Sequence, residues 1–79
     1  MLENMQDIIS KSDFIARFIK LPYANKKLAE YLYNAGFKNF EDMKNNDPEL
    51  IYSLLCIRNN RSFDHNVLSD LKTIIAHME

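Results

Sequence analysis

One glycine, two prolines and one cysteine in 79 residues close off several classes of function at once. A lone glycine, Gly36, excludes a glycine-rich loop that would wrap a nucleotide phosphate. A lone cysteine, Cys56, excludes an internal disulfide framework, so the fold must be held by packing. Cys56, His65 and His77 show no Cys-x-x-Cys or His-x-x-x-His spacing, and no metal site or other cofactor is expected. Cys56 lies in an apolar run and reads as a small buried hydrophobe, since only His65 is near enough in sequence to serve as a base. The carboxylates Glu41, Asp42, Asp47 and Glu49 fall in helix first turns, where acids are favoured anyway. The chain is therefore not expected to be an enzyme. Long apolar runs are also missing: no stretch approaches the roughly 20 residues that span a bilayer, and no charged-then-apolar leader opens the chain. The expectation is a cytoplasmic chain with no membrane contact.

What is present is helix. Hydrophobic residues make up 47% of the chain, too many for intrinsic disorder, and its length allows one core in one domain, residues 1–79. There is no strand alternation, repeat or low-complexity tract. Leu2, Met5, Ile8, Ile9, Ile15, Phe18 and Ile19 follow helical spacing as one long helix or, with a break near Lys11, two short ones, Ser12 followed by Asp13 capping a fresh helix over about 13–20. Pro22 stops it. Asn25 caps a helix from Lys26 to Ala35 that buries Leu28, Ala29 and Leu32 and is closed by Gly36 at the left-handed position. Replacing Gly36 should cost stability.

Asn39 caps a short helix to about Asn45, and Asp47-Pro48 opens another to about Ile57, burying Leu50, Ile51, Leu54 and Leu55. A polar loop, Arg58 to Phe63, precedes a helix capped by Asp64 with a stripe of Val67, Leu68, Leu71, Ile74, Ile75 and Met78. The fold class is all-α, a single small bundle of four to six short helices.

The stretch Leu21-Pro22-Tyr23-Ala24-Asn25-Lys26-Lys27 with Ala29, Leu32 and Gly36 resembles a helix-hairpin-helix motif, a SAM-like fold. Gly36-Phe37-Lys38-Asn39-Phe40-Glu41-Asp42-Met43 resembles the block that follows such hairpins. Asp47-Pro48-Glu49-Leu50-Ile51-Tyr52, Leu55-Cys56, and Asp64 with Val67-Leu68 are similar to later blocks of the bacterial "pathogenicity locus" family of small helix-hairpin-helix proteins. The likeness covers about residues 14–78. Tyr23 and Asn25 stand where the motif has glycines, and Asn66 where that family has a cysteine. The resemblance implies nucleic-acid contact by the hairpin, whose glycines normally let backbone N–H groups approach a phosphate.

Net charge is −1, which argues against strong non-specific nucleic-acid binding. Charge is nonetheless uneven. Residues 17–38 carry five cations against one anion, and residues 39–55 carry four anions against one cation. Lys20, Lys26 and Lys27 suit phosphate contact or form a solvated face. Asn25 is a tolerable replacement for glycine, because asparagine enters the left-handed region more readily than most residues. Tyr23 suits a partner surface or a stacked base. Tyr31 and Tyr33 are two apart and cannot share one helix face, so at least one is available for an interface. Arg58 and Arg61 offer a second anion contact or belong to a solvated loop. The expected function is a non-enzymatic binding module. A protein partner leads, and weak, sequence-independent DNA or RNA binding through Tyr23 to Lys27 is the alternative.

Overall fold

The computed structural model describes residues 10–78, so the readings for Leu2 to Ile9 lie outside the described residues. Within them are five helices and no strand: α1 (Lys11–Phe18), α2 (Lys26–Asn34), α3 (Phe40–Lys44), α4 (Pro48–Asn59) and α5 (His65–Ala76). Each begins at a polar side chain that accepts a hydrogen bond from one of the first orphan N–H groups of the helix. The caps are Ser10, Asn25, Asn39, Asp47 and Asp64, with bonds of 2.9 to 3.3 Å. Four of the five are the residues expected from sequence. The first is not: α1 is capped by Ser10 rather than Ser12, which places Asp13 in the first turn beside the helix's positive end.

Two helix ends share one device. The Phe37 N–H donates to the Leu32 carbonyl at 3.0 Å and the Gly36 N–H to that of Tyr33 at 3.1 Å, closing α2 with Gly36 at φ 103°. At the end of α4 the Arg61 N–H donates to the Cys56 carbonyl and the Asn60 N–H to that of Ile57, with Asn60 at φ 55°. Both are the paired reverse bonds that satisfy terminal carbonyls around a left-handed residue. Asparagine takes that conformation at Asn60, so α4 runs two residues beyond Ile57.

The helices pack in the order α1 on α2, α2 on α4, and α4 on α5. Phe14 and Phe18 stack at 5.7 Å, and Phe40 meets Phe14 edge-on at 5.9 Å. Leu28, Ala29 and Leu32 from α2, Met43 from α3, Ile51 and Leu55 from α4, and Leu71 and Ile74 from α5 complete one apolar core. No polar side chain is buried among the described residues. The sequence stripe overreaches at one position: Leu50 is 47% exposed, because one turn of α4 offers the core only the face of Ile51 and Leu55.

Candidate binding surface

Between α1 and α2 the chain reverses in seven residues, Ile19 to Asn25. The Leu21 N–H donates to the Phe18 carbonyl and the Ala24 N–H to that of Leu21, two tight turns in succession. Leu21 and Ala24 are half-buried and rest on the core, which anchors the turn from inside. Lys20, Pro22 and Tyr23 face solvent, and Ile19 is about half exposed beside them. Tyr23 is 68% exposed, yet its backbone holds φ 67°. That region disfavours any L residue with a Cβ, and for a bulky side chain it is an outlier.

The two glycine-like positions of the sequence thus part company. Tyr23 adopts the glycine-like backbone. Asn25 does not: its φ is −150°, extended, and its side chain accepts from the Leu28 N–H at 2.9 Å. Asn25 serves as a helix cap and makes no use of the left-handed region.

Lys26 and Lys27 follow in the first turn of α2, both exposed. Neither they nor Lys20 forms an ion pair among the described residues. Lys38, counted with them in sequence, lies 4.3 Å from the centre of the Tyr33 ring and is committed to that face. Tyr33 in turn packs on Phe14 at 5.7 Å.

Tyr31 turns the other way. It meets Phe63 edge-to-face at 4.9 Å, and Arg61 lies over both rings, 5.0 Å from one centre and 4.8 Å from the other. A guanidinium Nη1–H of Arg61 also donates to the Tyr31 hydroxyl. Here α2, the loop Asn60 to Asp64 and the start of α5 enclose an open cleft of about 220 Å³. Lys27 and Asn25 stand at its edge with Tyr31 and Arg61. The residues singled out in sequence therefore divide. Lys20, Pro22 and Tyr23 belong to the turn, Asn25 and Lys27 stand where turn and cleft meet, and Tyr31 belongs to the cleft.

Arg61, Phe63, Val67 and Asp70 also line the cleft, and only Arg61 was marked in the sequence as a possible anion contact. The alternation of cation and aromatic at Arg61-Ser62-Phe63 was the available signal for Phe63. Arg58 is used otherwise: its Nη1 donates to the Ala35 carbonyl at 2.7 Å, at the negative end of α2.

Cys56 is half-buried rather than fully buried, and the Tyr52 phenol is pushed above its ordinary range by partial burial and then by this thiol. Tyr52 Oη–H donates to the Phe63 carbonyl and so ties α4 to the loop. No group of three or more His, Cys, Asp or Glu side chains suited to a metal ion occurs among the described residues. No helix among them is long and apolar enough to cross a membrane.

Five short helices on one core among the described residues, with an exposed interhelical turn that holds Tyr23 in the left-handed region, define the class of protein. The model of the Cdd1 family, described as "pathogenicity locus", matches residues 11–79, and the chain belongs to that family. No curated protein and no solved structure matches it.

Proposed function

We propose that this chain is a non-enzymatic binding module, a degenerate helix-hairpin-helix domain of SAM-like type, that docks a protein partner through the turn between α1 and α2. One observation carries the reading: Tyr23 is held in the left-handed region while most of its side chain meets solvent. A backbone outlier of this kind costs on the order of 1–3 kcal/mol, and such residues cluster at functional sites. The exposed ring and the adjoining Pro22 offer an aromatic anchor of the kind that dominates interface energy. The test is capture of a partner from cytoplasmic lysate, with and without nuclease, by wild type and by Tyr23→Ala. A nuclease-resistant partner lost from Tyr23→Ala, with the melting temperature little changed, supports the reading. Capture that survives Tyr23→Ala, or a variant that unfolds, refutes it.

The second reading is weak, sequence-independent contact with DNA or RNA. It is favoured by Lys20, Lys26 and Lys27, exposed around the same turn and without ion pairs among the described residues. Two neutralised phosphates give a salt slope of about −1.8, roughly a tenfold loss between about 50 and 200 mM salt. Lys26→Glu with Lys27→Glu should abolish that slope alike for all sequences. A wild-type protein that shifts neither duplex nor single strand at low salt ends this reading.

A further inference from the structure

The cleft beside Tyr31 adjoins the exposed turn at Asn25 and Lys27, and its lining has a distinct chemistry. Two cations, Lys27 and Arg61, and one carboxylate, Asp70, share the lining with the apolar Leu28 and Val67. Leu28 is almost fully buried and Val67 half-buried, so this apolar part of the lining is fixed by the core beneath it. Arg61 is exposed but held over Tyr31 and Phe63. Its bond to the Tyr31 hydroxyl uses one of five N–H donors, and Arg61 forms no ion pair among the described residues. A guanidinium held in this way has already lost much of its rotamer freedom. The donors left over match the two oxygens of a carboxylate.

We infer that this cleft binds a peptide carboxylate beside an aliphatic side chain, with Arg61 and Lys27 holding the carboxylate and Leu28 and Val67 taking the aliphatic group. Asp70 is placed to accept a backbone N–H of the same peptide. Three features favour a peptide over a nucleic acid. Arg61 lies over Tyr31 and Phe63, whose mutual packing takes further ring surface, so a cation and not a bare ring meets the ligand. Asp70 opposes a polyanion. The volume, about 220 Å³, lies below the usual range for a whole small-molecule ligand and suits one side chain with its carboxylate. The inference rests on the reading of the chain as a protein-interaction module, and names the chemistry of the segment recognised.

The experiment is a nitrogen-15 NMR titration of the full chain with three short peptides. Acetyl-Ser-Gly-Leu carries a terminal carboxylate, acetyl-Ser-Glu-Leu-amide a side-chain carboxylate, and acetyl-Ser-Gln-Leu-amide none. Saturable shifts are expected at the backbone N–H groups of Lys27, Leu28, Phe63 and Val67 with at least one of the first two. Whichever saturates first identifies the source of the carboxylate. The third peptide should bind about tenfold more weakly or not at all, and Arg61→Gln should weaken the better ligand by about tenfold, as expected for a lost charge-assisted pair. Equal binding of the uncharged peptide, or no saturation by any peptide at millimolar concentration, overturns the inference. So does tighter saturation of the same groups by inorganic phosphate or oligothymidylate. Tyr23→Ala separates the two proposals: it should leave peptide shifts at the cleft intact while abolishing partner capture. If Tyr23→Ala captures normally, the turn reading fails and the cleft stands on its titration. If Arg61→Gln binds peptide as wild type does, the cleft fails alone.

Discussion

Gly36→Ala should be the most costly single-methyl change on the surface of this domain. Two effects contribute. Gly36 sits at φ 103°, where a Cβ is strained whatever space surrounds it, at about 1–2 kcal/mol. The new Cβ would also lie 3.0 Å from Arg58 Nη1, the atom that donates to the Ala35 carbonyl. Arg58 is exposed and flexible, so it can move aside, but moving forfeits part of a charge-assisted bond at the end of α2. Such a bond is worth about 1.5 kcal/mol or more when well shielded, and less here. The sum is about 2 kcal/mol, or roughly 8–16 °C in the melting temperature of a domain this small.

Thermal melts followed by far-ultraviolet circular dichroism of wild type, Gly36→Ala, Arg58→Ala and the double variant separate the terms. If the methyl displaces Arg58, the double variant costs less than the two singles added together. Strict additivity would mean that Arg58 is untouched and that strain acts alone. A Gly36→Ala loss below about 0.5 kcal/mol would refute the left-handed cap itself.

Tyr23→Gly should raise stability by about 1 kcal/mol in urea unfolding by relieving the left-handed strain; a destabilised variant would show that the ring packs inward. Leu71→Ala, at a fully buried position, should cost about 2–5 kcal/mol and leave little folded protein at 37 °C, whereas Leu50→Ala on the exposed side of α4 should cost far less in the same melt. Tyr52 supplies a pH signature. Its folded phenol titrates above the ordinary 10, so its contribution is complete below pH 10 and is lost as pH rises through the folded value, when the phenolate can no longer donate to the Phe63 carbonyl. Alkaline melts should therefore fall less steeply for Tyr52→Phe than for wild type, and parallel curves would refute the bond.

Most of the fold was legible because this chain marks its helix starts with short polar side chains and its single glycine with a helix end. Asn25, Asn39, Asp47 and Asp64 each precede an apolar stripe, and each is a cap. The failures have physical causes. Ser10 and Ser12 have the same chemistry and stand two residues apart, so local propensity could not choose between them; the register of Phe14 and Phe18 against α2 did. Leu50 and Ile57 are as apolar as Ile51 and Leu55, and only the direction from which α2 and α5 approach α4 decides which pair is covered.

The candidate surfaces were legible to different degrees. Among the described residues three hold positive φ: Tyr23, Gly36 and Asn60. Gly36 and Asn60 each end a helix by the same pair of reverse hydrogen bonds, and both residue types enter that region at low cost. Their conformations are explained by the helices they close. Tyr23 closes no helix, pays the highest steric cost of the three, and places its ring in solvent. Its position in a glycine slot was visible in the sequence, but a tyrosine there reads equally well as a lost motif or as a rebuilt one. The two positions differ in the structure: Tyr23 is left-handed, whereas Asn25 is extended and caps α2. The turn thus displays an aromatic ring on a left-handed backbone. Under the proposed reading that ring is what a protein partner buries, in place of N–H groups presented to a phosphate.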